Sequence, residues 1–105
     1  MSELNLAITE AAKVDRLMWC FSQVLQTRRN SSQLCEILLK LRENSKNSHM
    51  VIQMLDLTLN MLNGQSKVFS PEEARLAVSG LNLFQLKSEP EVLNALLLYF
   101  DTARI

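Results

Sequence analysis

One stretch of the chain limits what the rest can be. From Glu89 to Phe100 it reads Glu-Pro-Glu-Val-Leu-Asn-Ala-Leu-Leu-Leu-Tyr-Phe, and past Glu91 only Asn94 interrupts the apolar run. Ser88 and Glu91 stand at the spacing of a capping box, and Pro90 falls in a first turn whose amides have no intrahelical acceptor. The sequence therefore predicts a helix start here. At about 100° per residue, Val92, Leu93, Leu96, Leu97, Tyr99, Phe100 and Ala103 cover more than half of the wheel. A helix on a surface shows one apolar stripe, so this one must be wrapped by neighbours.

The neighbours are helices too. Two glycines and two prolines in 105 residues are too few for the turns of a strand-rich domain, and the apolar positions recur at three and four rather than at two. The first helix spans Glu3 to Thr27, with Leu4, Ala7, Ala11, Val14, Met18, Phe21 and Leu25 in one a/d seam. Leu6, Leu17 and Val24 flank that seam on one side, and Ile8, Ala12 and Trp19 on the other. The remaining strip holds Thr9, Lys13, Arg16, Cys20 and Gln23.

After the polar turn Thr27 to Ser32, whose hydroxyls suit capping, a second helix runs from Gln33 to Glu43. A third runs from His49, capped by Ser48, to Asn63, where Gly64 is placed for a left-handed stop. Phe69-Ser70-Pro71-Glu72-Glu73-Ala74 is the sharpest local signal: Ser70 and Glu73 form a capping box, proline sits at N1, and Phe69 with Ala74 makes a staple. That helix breaks near Gly80, and a short helical turn continues through Leu86. The predicted fold is an all-α compact bundle of about five helices in a single domain, 1–105. An antiparallel hairpin of the first two helices packs on the strongly apolar C-terminal one.

Charge and composition exclude several function classes. Eleven acids balance eleven bases, which leaves no general attraction to nucleic acid or to an anionic membrane surface. The N-terminus has no charged segment followed by a long apolar one, and no apolar run is long enough to span a bilayer, so a cytoplasmic protein is expected. Cys20 and Cys35 are far apart and outside any Cys-x-x-Cys pair, which reads as reduced thiols. On the wheel Cys20 falls on the polar strip and Cys35 beside Leu34 and Leu38, so Cys20 is expected to be the more accessible.

Chemistry-bearing patterns are few. His49 is the single histidine, with neither cysteine near it in sequence, so no metal site is expected. Glu72 with Glu73, and Glu89 with Glu91, sit in first helical turns, where the helix dipole favours acids for structural reasons. Nucleophile motifs and glycine-rich phosphate loops are missing, so the expectation is no enzyme, no catalytic residue and no cofactor. A helix-turn-helix arrangement over Pro71 to Lys87 is the alternative, a DNA-binding transcriptional regulator. Its reading segment, Asn82 to Lys87, offers one base, too little charge for phosphate contacts. Met50, Met54 and Met61 in the third helix read as core filling before an adaptable groove.

The informative feature is the apolar excess. The first, third and fifth helices each show more apolar surface than a single stripe, and a chain this short has few elements with which to cover it. Obligate interfaces resemble a core cut in half. The expected function is a protein–protein interaction module, such as an adaptor, small chaperone or regulatory subunit. It would act as a homodimer or in a hetero-complex with a larger protein. The expected contact residues are Ile8, Ala12 and Trp19 on the first helix, with Leu98 and Ile105 on the polar strip of the last.

Overall fold

The computed structural model describes residues 3–43, 48–63 and 68–103, with side chains from residue 10 onward. Among these residues there is no strand. The helices are α1 (Glu3–Thr27), α2 (Ser31–Arg42), α3 (His49–Asn63), α4 (Pro71–Ser79), a 3₁₀ helix (Leu83–Ser88) and α5 (Pro90–Ala103). The all-α bundle expected from the sequence is what forms.

Each boundary has a local cause. α1 stops where Arg28 and Asn30 take φ values of 58° and 60°, which a helix cannot contain. α2 then begins two residues earlier than expected, and the residue before it, Asn30, makes no side-chain cap. Ser48 caps α3 as expected, its hydroxyl accepting from the Val51 amide at 3.3 Å. The capping box of α4 is complete: the Glu73 amide donates to Ser70 Oγ at 3.2 Å, and the Ser70 amide to Glu73 Oε1 at 3.0 Å. Phe69 packs against the core, and its amide donates to the Leu25 carbonyl at 3.1 Å, fastening the start of α4 to the end of α1.

The break at Gly80 occurs, but glycine does not make the left-handed turn. Gly80 stays right-handed at φ −71°, and Asn82 takes φ 55° instead, since asparagine tolerates that region. The expected cap of the last helix is also redrawn. Ser88 closes the preceding 3₁₀ helix, its hydroxyl donating to the Gln85 carbonyl at 2.9 Å, so the Ser88–Glu91 box is not made. α5 opens one residue later at Pro90, with the Leu93 amide bonded to the Glu89 carbonyl. The stop at Gly64 lies outside the described residues.

α5 is wrapped, as its sequence requires: Val92, Leu93, Leu96, Leu97 and Phe100 are all buried. It runs beside α1 in the same sense, since Lys13 reaches Asn94 and Arg16 reaches Asp101. α1 packs chiefly on α4, α5 and the 3₁₀ helix, while the main partners of α2 are α3 and α5. The antiparallel hairpin is therefore α2 with α3 rather than α1 with α2. Cys35 faces Asn63, and Arg42 pairs with Asp56. The left-handed residues between α1 and α2 turn the chain away before the two helices can align.

Candidate functional site

The face that α1 turns inward differs from its heptad seam. Val14, Leu17, Cys20, Phe21, Val24 and Leu25 are buried, while Met18, a residue of the expected seam, is only half-buried. The buried arc is centred beside Leu17, about a quarter turn from Met18. Trp19 consequently lies about half a turn from the inward midline, and it is 53% exposed.

Two grooves meet at this indole. The first, about 280 Å³, lies between α1 and α4, with Met18, Trp19 and Ser22 on one wall and Pro71, Arg75 and Val78 on the other. The capping box fixes where α4 begins and hence where Pro71 stands, and Val78 is buried. The second groove, about 220 Å³, lies on the other side of Trp19, where Gln23, Thr27, Arg29 and Asn30 approach Ala103 at the end of α5. Among the described residues each groove carries one arginine, and no carboxylate lines either.

The surrounding acids are mostly engaged. Asp101 accepts from Arg16 Nη2 at 2.6 Å, Glu10 pairs with Lys13 at 3.4 Å, and Glu73 serves the capping box. The Asp101 hydrogen bond raises the pKa of Arg16, so that cation stays charged.

Of the expected contact residues, Ala12 is exposed, Trp19 stands between the grooves, and Leu98 is 69% exposed. The side chains of Ile8 and Ile105 lie outside the described residues. The structure does not join Trp19 and Leu98 into one groove. On the wheels of α1 and α5 the Arg16–Asp101 pair falls between them, so Leu98 is a separate apolar point on the crest of α5. Arg75, Val78 and Arg29 were missed by the sequence reading. Helical periodicity gives the faces of α1 and α4 but not that they meet, and only the position of Pro71 carried a local signal.

The expected order of the thiols is reversed. Cys20 is fully buried, and Cys35 is partly exposed. The strip read as polar on α1 turns its Cys20 edge towards α5, where Lys13 and Arg16 reach Asn94 and Asp101 while Arg16 itself stays exposed. Burial raises the pKa of the Cys20 thiol, Arg16 opposing it and Asp101 adding to it. Burial also raises that of Cys35, against the nearby Arg28. The two cysteines form no disulfide.

Among the described residues no group of three or more His, Cys, Asp or Glu side chains is placed to hold a metal ion. No helix among them is long and apolar enough to cross a membrane. The segment Asn82–Lys87 of the helix-turn-helix alternative is mostly 3₁₀ rather than α-helical. Leu83 and Leu86 point into the core, and Lys87 lies over the Phe84 ring, 5.1 Å from its centroid. The chain matches no known protein-family model, no curated protein and no solved structure.

Proposed function

We propose that the protein is a non-enzymatic binding module, an adaptor, small chaperone or regulatory subunit, that holds another protein against the Trp19 face of α1. The carrying observation is the exposed indole standing between two grooves, 53% open to solvent. A tryptophan side chain buries about 150–250 Å² when covered. Covering the open half would remove roughly 100 Å² from water, or about 2.5 kcal/mol, which is hot-spot size for a single interface residue. The grooves, about 280 and 220 Å³, fall below the roughly 300–1,000 Å³ of small-molecule sites. They suit the side chains of a protein partner.

Leu98, on a separate crest, is the second contact, engaged by a partner large enough to cross the Arg16–Asp101 pair. Two thiols outside any disulfide fit a reducing, cytoplasmic setting. The balanced charge and the 3₁₀ form of Asn82–Lys87 favour a protein partner over DNA.

The test compares wild type with Trp19→Ala by co-purification with mass measurement and by sedimentation. The variant is expected to lose the partner, or to sediment as the smaller species, while its melting temperature and far-ultraviolet dichroism stay unchanged. A wild type that sediments as a lone monomer and retains nothing would overturn the reading.

A further inference from the structure

Resting on the reading of Trp19 as a contact residue, we infer that its partner is an acidic, apolar-anchored protein segment. One apolar side chain lodges between Trp19 and α4, and carboxylates to either side of it meet Arg75 and Arg29.

The first step is size and lining. The groove between α1 and α4 is about 280 Å³, with the Trp19 indole, Met18 and Val78 as its apolar surfaces. One or two aliphatic or aromatic side chains fill such a volume, and a dry apolar anchor is what an indole wall rewards. The second step is charge. Arg75 and Arg29 are both exposed, one in each groove, with Trp19 between them. Neither has a carboxylate partner among the described ion pairs.

The nearby acids do not cancel this. Asp101, Glu10 and Glu73 are engaged by Arg16, Lys13 and the α4 cap. Asp15 and Glu72 are exposed, but neither lines a groove. The helix ends near the second groove leave a balance of about half a negative charge, less than the full positive charge of Arg29. The carbonyl ends of α1 and α5 bring about half a negative charge each, and the amide end of α2 about half a positive one. Arg29, with its full charge, sets the sign. A segment with basic flanks would place like charges on both sides of the anchor and is disfavoured.

The experiment uses the full chain and three synthetic peptides without tryptophan. All share one Leu/Phe stripe at helical spacing, and the other positions are all Glu, all Gln or all Lys. Trp19 is the only tryptophan, so its emission reports the groove directly. The Glu peptide is expected to shift that emission to the blue and to bind about tenfold more tightly than the Gln peptide, which is about 1.4 kcal/mol. Two exposed charge pairs near the upper end of their usual range supply that much. Raising the salt should erase the difference. Reversing both cations, Arg75→Glu with Arg29→Glu, should make the Lys peptide the tighter ligand, with dichroism confirming the fold.

Equal binding of all three peptides, or a preference for Lys in the wild type, overturns the inference and leaves the contact role of Trp19 standing. So does silence towards every peptide while Trp19→Ala still releases a co-purified protein. A blue shift produced by raising the protein concentration alone assigns the groove to a second copy and likewise overturns it.

Discussion

The rings of Phe21 on α1 and Phe100 on α5 meet edge to face, 5.3 Å between centroids and 81° between planes. Phe100 is fully buried and Phe21 almost so. This pair joins the longest helix to α5, which also packs on α2 and the 3₁₀ helix, and Tyr99 adds a second edge contact to Phe100, also at 5.3 Å.

Truncation of this contact should be severe. Phe100→Ala removes a ring that its neighbours cannot replace and is expected to cost about 3–5 kcal/mol, against a total of about 5–15 for a domain of ordinary stability. Leu96→Ala, at a position with no exposed surface, should cost about 2–5 kcal/mol. Urea midpoints read both. A double-mutant cycle on Phe21 and Phe100 should return a coupling of about 0.5–1.5 kcal/mol. A midpoint that does not move for Phe100→Ala would mean that α5 is not central.

Native thiol labelling should proceed in two steps. Cys35 is partly exposed, with its Sγ 3.6 Å from Asn63 Oδ1, and is expected to react first. Cys20 has no exposed surface and should react only as the fold opens. Cys35→Ser should abolish the fast step and leave the slow one. Faster modification of Cys20 would contradict the packing of α5 on α1.

Alkaline pH should weaken the fold through three acids. Burial raises the pKa of Cys20 and Cys35 from their ordinary 9.0. For Tyr99, burial first and then the Cys35 thiolate raise it from 10.0. A folded state that holds its protons more tightly than the unfolded chain keeps its full advantage below the unfolded pKa and loses it as pH rises through the folded one. Stability is therefore expected to be level up to about pH 9, then to fall with the thiols and, from about pH 10, with the phenol. Tyr99 Oη donates to the Asn30 carbonyl at 3.1 Å. Tyr99→Phe should cost about 0.5–1.5 kcal/mol at neutral pH and make the decline above about pH 10 shallower. Denaturant curves across this range, with the absorbance of the single tyrosine, check both limbs.

What the sequence shows of this fold is what is decided locally. The Ser48 cap of α3 and the capping box at Ser70 depend on residues within a turn of one another, and both were legible. So was the burial of α5, because its wheel leaves little polar surface. The errors arise where neighbours decide. α1 offers three apolar flanks, and periodicity does not say which ones α4 and α5 will cover. The inward midline therefore moved to Leu17, and Cys20 went from the strip read as polar to the core. Ser88 has a capping sequence, but the 3₁₀ helix before it claims its hydroxyl first. Packing decides that no other helix among the described residues covers Trp19, while its place off the seam was visible from its angle. The Arg75 wall beside it was not, since it belongs to a helix fifty residues on.

The 3₁₀ helix has a consequence for how this chain can vary by descent. A 3₁₀ segment climbs about 2.0 Å per residue against about 1.5 Å for an α-helix, so six residues reach about 12 Å instead of about 9 Å. Three residues complete each turn, which sets Leu83 above Leu86 in a single inward column, both buried. Losing or gaining one residue there would turn all that follows by about 120° and carry Phe100 away from Phe21. Lineages of this protein are thus free to exchange the outward residues Phe84 and Lys87, but not to change how many residues lie between Asn82 and Pro90.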